Sequence, residues 1–233
     1  RSFHVTGVQT CALPISKWLE LQREYKLPIT ATISYQELRS VRGSQPKHGL
    51  LSRREMGAEA LPEFSPTDVL KTYVAEGAIV IIDEIQNIKN NTAQFQACSA
   101  IVRCVAAAFP VCNSRVLFIS GSPIDKKEQI LNFYRCIRAL THREMCIYNP
   151  GNGSYVMTGF RQIVDFCTGI DDAAREEARN ALEELLEEEG MGAASACMAV
   201  AYQLFLRYVK RLSSEMPPPQ YQVAIDKRNG FFQ

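Results

Sequence analysis

The chain has 233 residues, of which 46% are hydrophobic and 22% charged, with a formal net charge of +1. This is an ordinary soluble globular composition, long enough for one full core plus an appendage. No apolar run approaches the roughly 20 residues of a membrane span, and near-neutrality restricts any nucleic-acid contact to local patches rather than a whole-chain basic field. Cys11 apart, the cysteines are scattered without a Cys-x-x-Cys pair, and the histidines form no ligand cluster with them. Reduced thiols in an intracellular setting are expected, not a zinc site or a disulfide framework.

In chain order, Val5-Thr-Gly-Val-Gln-Thr-Cys-Ala-Leu-Pro-Ile15 resembles the in-frame translation of a sequencing-library adapter. Residues 1–16 are therefore set apart as an artefact, as an expression scar would be. A signal peptide fits poorly, because there is no initiator methionine and no continuous apolar core. The native product is expected to begin upstream, and residues 1–16 to pack poorly.

From Lys17, the positions Trp18, Leu19, Leu21 and Tyr25 suit the end of an amphipathic helix, and Leu27 to Ser34 alternates enough for a strand. Ser34-Tyr-Gln-Glu-Leu-Arg39 then opens a helix, with Tyr35 and Leu38 on one face. Ser40 to Pro66 reads as a surface loop with a short helix. Its Arg42, Lys47, Arg53 and Arg54 are either solvated or in contact with a phosphate backbone.

Two stretches carry the chemistry. In Ala78-Ile-Val-Ile-Ile-Asp-Glu-Ile-Gln-Asn87, five apolar residues lead into adjacent carboxylates, as a fully buried parallel strand reads when it ends at a reactive edge. Ligands of open α/β sheets sit at the carboxyl ends of strands. One carboxylate there suits a hydrated magnesium ion, and its neighbour can orient or deprotonate a water. The second stretch, Arg115-Val-Leu-Phe-Ile-Ser-Gly-Ser-Pro123, is another apolar run ending in small hydroxyl and glycine residues. Between them Phe95, Cys98, Ile101, Val102, Val105 and Phe109 recur at helical spacing from Asn91 to Phe109. Strand, helix and strand in that order predict a parallel βαβ unit, with Asp83, Glu84 and Ser120 to Ser122 along one sheet edge.

Asp125-Lys-Lys-Glu128 has the form of a capping box opening a helix, with Ile130, Leu131, Tyr134 and Ile137 inward. Asp171 to Glu189 predicts an acidic helix with a narrow apolar face, Ala174, Ala178, Leu182, Leu185 and Leu186, ended by Gly190. Its Glu183 to Glu189 cluster is read as a solvated face, with a metal site as the alternative. A further helix is expected from Ala193 to Leu212 and a short strand from Tyr221 to Ile225.

Asp83-Glu-Ile-Gln86, followed by Ser120-Gly-Ser-Pro123, resembles motifs II and III of superfamily-two helicases and translocases, and within them the Swi/Snf-type group. Gln86 stands where that group usually has histidine, and two serines stand where it has threonines, with similar hydrogen-bonding capacity. Trp18 and the Ser34-Tyr35 pair fall where motifs Ia and Ib are flanked by helices. Leu206 to Pro219 resembles the basic linker that ends in a Leu-Pro-Pro-like turn.

The resemblance implies an α/β fold, the first RecA-like P-loop NTPase lobe with a parallel sheet, amino-terminally truncated, with a helical insertion. The implied divisions are 1–16 artefact, 17–141 partial ATP-binding lobe, 142–205 insertion, and 206–233 linker toward a second lobe. ATP and Mg2+ are the implied cofactors. Asp83 would hold magnesium through water, Glu84 would activate the attacking water, and Gln86 with Ser120, Gly121, Ser122 and Pro123 would couple hydrolysis to strand binding. Ser34, Tyr35 and Arg39 are the implied nucleic-acid contacts; Tyr35 packing into the core with Leu38 is the structural alternative. The implied partners are nucleic acid, DNA rather than RNA, and a second RecA-like lobe in cis, with no membrane. The divergent motifs also fit a large-DNA-virus member. The phosphate loop Gly-x-x-x-x-Gly-Lys-Ser/Thr does not occur in the 233 residues. Two alternatives stay open: a ring-forming P-loop ATPase, and a non-catalytic binding module of the same fold.

Overall fold

Four parallel strands, Ile29–Ser34, Val5–Gln9, Ile79–Asp83 and Arg115–Ile119 in spatial order, carry the first part of the chain. The computed structural model describes residues 5–9, 15–26, 28–109, 111–120, 123–187 and 190–209. The chain divides into two units, Arg1–Glu144 and Met145–Gln233. The first unit runs β1 (Val5–Gln9), α1 (Ile15–Tyr25), β2 (Ile29–Ser34), α2 (Tyr35–Arg39), β3 (Leu51–Arg54), β4 (Glu63–Pro66), α3 (Asp68–Glu76), β5 (Ile79–Asp83), α4 (Ala93–Ala108), β6 (Arg115–Ile119) and α5 (Ile130–Cys136). A mixed α/β fold with a parallel sheet is thus present, as the alternation of apolar runs and helical periodicities predicts.

The sheet places its chemistry by register. Asp83 at the end of β5 lies opposite Ile119 at the end of β6, so the two strands deliver their carboxyl ends side by side. On β5, Val80 and Ile82 are buried while Ile79 and Ile81 are half-buried, so one face of this strand is covered more fully than the other. The more open face continues onto β6, where Leu117 and Ile119 are exposed. Helix α4 packs against α2, α3 and β6, and it buries Phe95, Cys98, Ile101, Val102 and Val105 of the stripe read from the sequence, whereas Phe109, at the helix end, is exposed. Each such aliphatic or aromatic side chain contributes about 1.5–3 kcal/mol when removed from water. Thr92 starts the helix, its hydroxyl accepting from the Phe95 N–H at 3.4 Å.

Several local expectations change. Val5–Gln9, set apart as foreign, pairs in parallel with β2 on one side and β5 on the other. A β-branched stretch is compatible with that slot whatever its origin. Helix α3 adds an element to those expected, marked by Thr67 as cap, Leu70 and Val74 one turn apart, and left-handed Gly77 as terminator. The 40–66 segment is not a loop with a helix. Leu51–Arg54 and Glu63–Pro66 form an antiparallel ribbon. There Arg53 is buried, donating to the carbonyls of Arg39 (2.7 Å) and Ser40 (2.9 Å) and to Glu55 (2.8 Å). Arg53 is therefore neither solvated nor free to meet a phosphate. In the helix-opening segment after β6, the Asp125 carboxylate pairs with Lys89 and does not cap. The cap comes from Gln129, whose side-chain oxygen accepts from the Asp125 N–H at 2.9 Å.

The α2–β3 connection is held by His48. Its Nδ1 accepts from the Leu50 N–H at 3.0 Å, which leaves Nε2–H to donate to the Leu38 carbonyl at 3.2 Å. Burial holds this imidazole below the ordinary histidine value, and protonating Nδ1 would break the Leu50 bond. The unfolded chain takes up the proton near the ordinary value and the folded chain only at lower pH. This contribution is therefore present above about pH 6.5 and is lost as pH falls below it toward the depressed folded value. Urea unfolding at about pH 7.5 and about pH 5.5 should show a stability loss on acidification that His48→Gln reduces. An undiminished loss in the variant would assign the slope to other groups.

The second unit comprises a hairpin of β7 (Ile147–Asn149) and β8 (Ser154–Val156), then α6 (Thr158–Thr168), α7 (Asp172–Glu187) and α8 (Ala193–Leu204), which continues as a π-helical turn over Phe205–Val209. The three helices pack on one another through Phe160 and Ile163, through Ala174, Ala178 and Leu182, and through Ala196, Cys197 and Val200. The narrow stripe on α7 matches its sequence pattern, and the Asp171 carboxylate caps it by accepting from the Ala174 N–H at 3.0 Å. No described helix is long and apolar enough to cross a membrane. The expected strand over 221–225 lies outside the described residues.

Candidate functional site

Strand β5 ends on Asp83, and the chain turns at once. Glu84 takes left-handed backbone angles, φ 55° and ψ 56°, before a 3-10 turn over Ile85–Ile88. A residue with a Cβ pays roughly 1–2 kcal/mol for that conformation, so something must hold it. Ile85 and Ile88 are buried on the far side of the turn. On the near side, Tyr35 is fully buried and its hydroxyl donates to the Asp83 carbonyl at 2.8 Å. Burial pushes this phenol well above its ordinary value, so it stays a neutral donor. The strained turn is thus clamped between apolar anchors and one buried hydrogen bond across 48 positions of sequence.

Beyond the turn, three polar side chains join. The Gln86 amide nitrogen donates to the Glu84 carboxylate, and the Gln86 amide oxygen accepts from the Ser120 hydroxyl. Glutamine can do both at once because its amide carries a donor and an acceptor on opposite arms. Glu84 and Gln86 come from the turn after β5, Ser120 from the residue after β6. A second tie runs parallel to this one, with Lys89 paired to Asp125 and its carbonyl accepting from the Asn132 amide at 3.2 Å. Asp83 is 6% exposed, while Glu84, Gln86, Ser120 and Pro123 are half-buried. Gly121 and Ser122 lie outside the described residues.

Of the residues expected on a nucleic-acid strand, Tyr35 is placed differently. Tyr35, with its ring in the core and its hydroxyl committed to Asp83, has no surface to offer a base, and that role is withdrawn for it. Ser34 caps α2: its hydroxyl accepts from the Glu37 N–H at 3.2 Å, and Glu37 accepts from the Ser34 N–H at 2.8 Å. The Ser34 N–H, and then the Ser34 hydroxyl, hold the Glu37 carboxyl below the usual carboxylate range. Arg39 is half-buried, and its Nε is buried without a hydrogen bond among the described residues. Ser34-x-x-Glu37 is a capping-box pattern, so this structural role was legible in the sequence. Nothing in the sequence marks the Tyr35 to Asp83 bond.

Among the described residues no cluster of three or more His, Cys, Asp or Glu side chains is placed to hold a metal ion. Asp83 and Glu84 alone do not make a protein cage. They do fit an ion that keeps most of its waters and takes its remaining ligands from phosphate oxygens, as magnesium does in nucleotide sites.

No protein-family model, no curated protein and no solved structure matches this chain. The chemistry of the site therefore rests on its own geometry.

Proposed function

We propose that residues 17–141 are the partial first RecA-like lobe of an ATP-driven nucleic-acid helicase or double-strand DNA translocase, acting inside the cell. The observation that carries this reading is the hydrogen-bonded chain from Glu84 through Gln86 to Ser120, which joins a strand-end acidic pair to the end of the neighbouring parallel strand. In this reading Glu84 takes the proton of the attacking water, its carboxylate aimed by Gln86. Asp83 holds the hydration shell of magnesium, whose charge offsets that developing on the phosphate oxygens. Ser120 reports the state of β6 to Glu84 through Gln86, so a shift at one strand end is felt as a change in base orientation at the other.

Hydrolysis on this reading also needs a phosphate cradle and a charge-stabilising arginine, supplied by other residues than Asp83, Glu84 and Gln86. The chain alone is then expected to turn over no ATP. Joined to a lobe carrying a phosphate loop, it should hydrolyse ATP faster with duplex DNA, and Ser120→Ala should lose more of that stimulation than of the basal rate. Sustained magnesium-dependent turnover by residues 1–233 would overturn the assigned division of labour. Equal loss of both rates would leave Ser120 a structural turn residue.

A further inference from the structure

The second unit holds a groove that the proposed hydrolysis does not use. Helices α6 and α7 with strand β8 enclose about 810 Å3, within the range of small-molecule sites, roughly 300–1,000 Å3. Its floor is apolar and well covered, with Phe160, Val164 and Leu182 at 4%, 8% and 6% exposure. Tyr155 and Val156 form a wall that stays open to solvent, at 49% and 45%.

Charge is segregated onto this groove. The described residues of the unit carry four arginines against eight carboxylates, an acidic excess of four. Three of those arginines, Arg161, Arg175 and Arg179, line the groove, but only two of the carboxylates, Asp165 and Glu183, do so. Arg175 is engaged by Asp165 at 3.4 Å and Asp172 at 3.1 Å, and Arg179 by Glu176. Arg161 has no carboxylate within ion-pair distance among the described residues. The N-terminal end of α6, whose Thr158 lines the same groove, is uncapped by any side chain, and its dipole adds to the positive field there.

We propose that this groove binds a free amphiphilic anion, a long-chain carboxylate whose head pairs with Arg161 and whose chain lies on Phe160, Val164 and Leu182. A guanidinium meets a carboxylate through two parallel hydrogen bonds, and the apolar floor takes the hydrocarbon out of water. A polyanion such as single-stranded DNA is disfavoured, because its successive phosphates would run past the groove onto the acidic excess carried by Glu176, Glu177, Glu184 and Glu187 of α7. A single charge confined to the groove avoids that repulsion, which is screened over about 8 Å at physiological ionic strength.

The test uses the full 233-residue chain loaded with 1-anilinonaphthalene-8-sulfonate, an apolar anionic dye, and displacement by dodecanoate, dodecanol or a thymidine 20-mer. Dodecanoate is expected to displace the dye at about tenfold lower concentration than dodecanol, and Arg161→Ala to abolish that advantage without weakening dodecanol. Val156→Ser, at an exposed wall position, should weaken both. The proposal is overturned if the dye does not bind, if dodecanoate and dodecanol compete equally, if Arg161→Ala leaves the preference intact, or if the oligonucleotide competes better than dodecanoate. Arg161 is exposed, so its loss leaves the fold in place, as an unchanged melting midpoint will show.

Discussion

Glu84→Gln is expected to lower ATP turnover by roughly two to four orders of magnitude, the range for removing a general base, while nucleotide binding persists. The geometry makes this substitution a clean one. Glutamine matches glutamate in size, and its amide oxygen can still accept from Gln86, so the chain to Ser120 stays closed. The left-handed turn is held by Ile85, Ile88 and Tyr35 and not by the carboxylate, so it does not depend on the charge. What disappears is the basic carboxylate and its charge, while the turn and the hydrogen-bonded chain remain. Asp83→Asn should behave differently, weakening magnesium-dependent nucleotide binding because, on the proposed function, the lost charge would face the metal's hydration shell. Steady-state hydrolysis and nucleotide affinity, measured separately on the chain joined to a lobe carrying a phosphate loop, distinguish the two. Turnover at the wild-type rate in Glu84→Gln would refute the assigned base.

Strands β2, β5 and β6 and the acidic edge were legible because their signal is local. A β-branched run from Ile79 to Ile82 ending in two carboxylates needs no distant partner to be read, and the stripe of α4 announces itself at helical spacing. Other roles are set across long sequence separations, where local pattern carries no signal. Arg53 reads as a surface cation until β4 and the end of α2 fold around it. Glu128 fits a capping-box pattern, yet Gln129 reaches the cap, because Asp125 is drawn to Lys89 from 36 positions away. Hairpin β7–β8 gives a weak signal for the opposite reason: all six of its residues are exposed, so no buried alternation marks it. The Glu84–Gln86–Ser120 chain lies between these cases. The sequence placed its members on one edge, but their bonding depends on register between β5 and β6, which periodicity does not encode.

Tyr35 is where fold and site meet, and its replacement should have the largest effect on stability. Tyr35→Ala deletes a fully buried ring against α4 and is expected to cost about 3–5 kcal/mol, as aromatic truncations in cores do. That is a large share of the roughly 5–15 kcal/mol that holds a domain folded. Tyr35→Phe keeps the ring and removes only the donor, leaving the buried Asp83 carbonyl without it, at about 1–3 kcal/mol. Urea midpoints for the two variants separate packing from the hydrogen bond. Identical midpoints for Tyr35→Phe and wild type would show that the bond contributes nothing net. The phenylalanine variant also carries a consequence for the site that packing alone does not predict. With the Asp83 carbonyl released, Glu84 can relax from its left-handed angles and draw its carboxylate off Gln86. Turnover of the loop-bearing protein should then fall at temperatures where the variant is still fully folded, and loss of activity that merely tracks unfolding would show that the clamp has no part in holding the base.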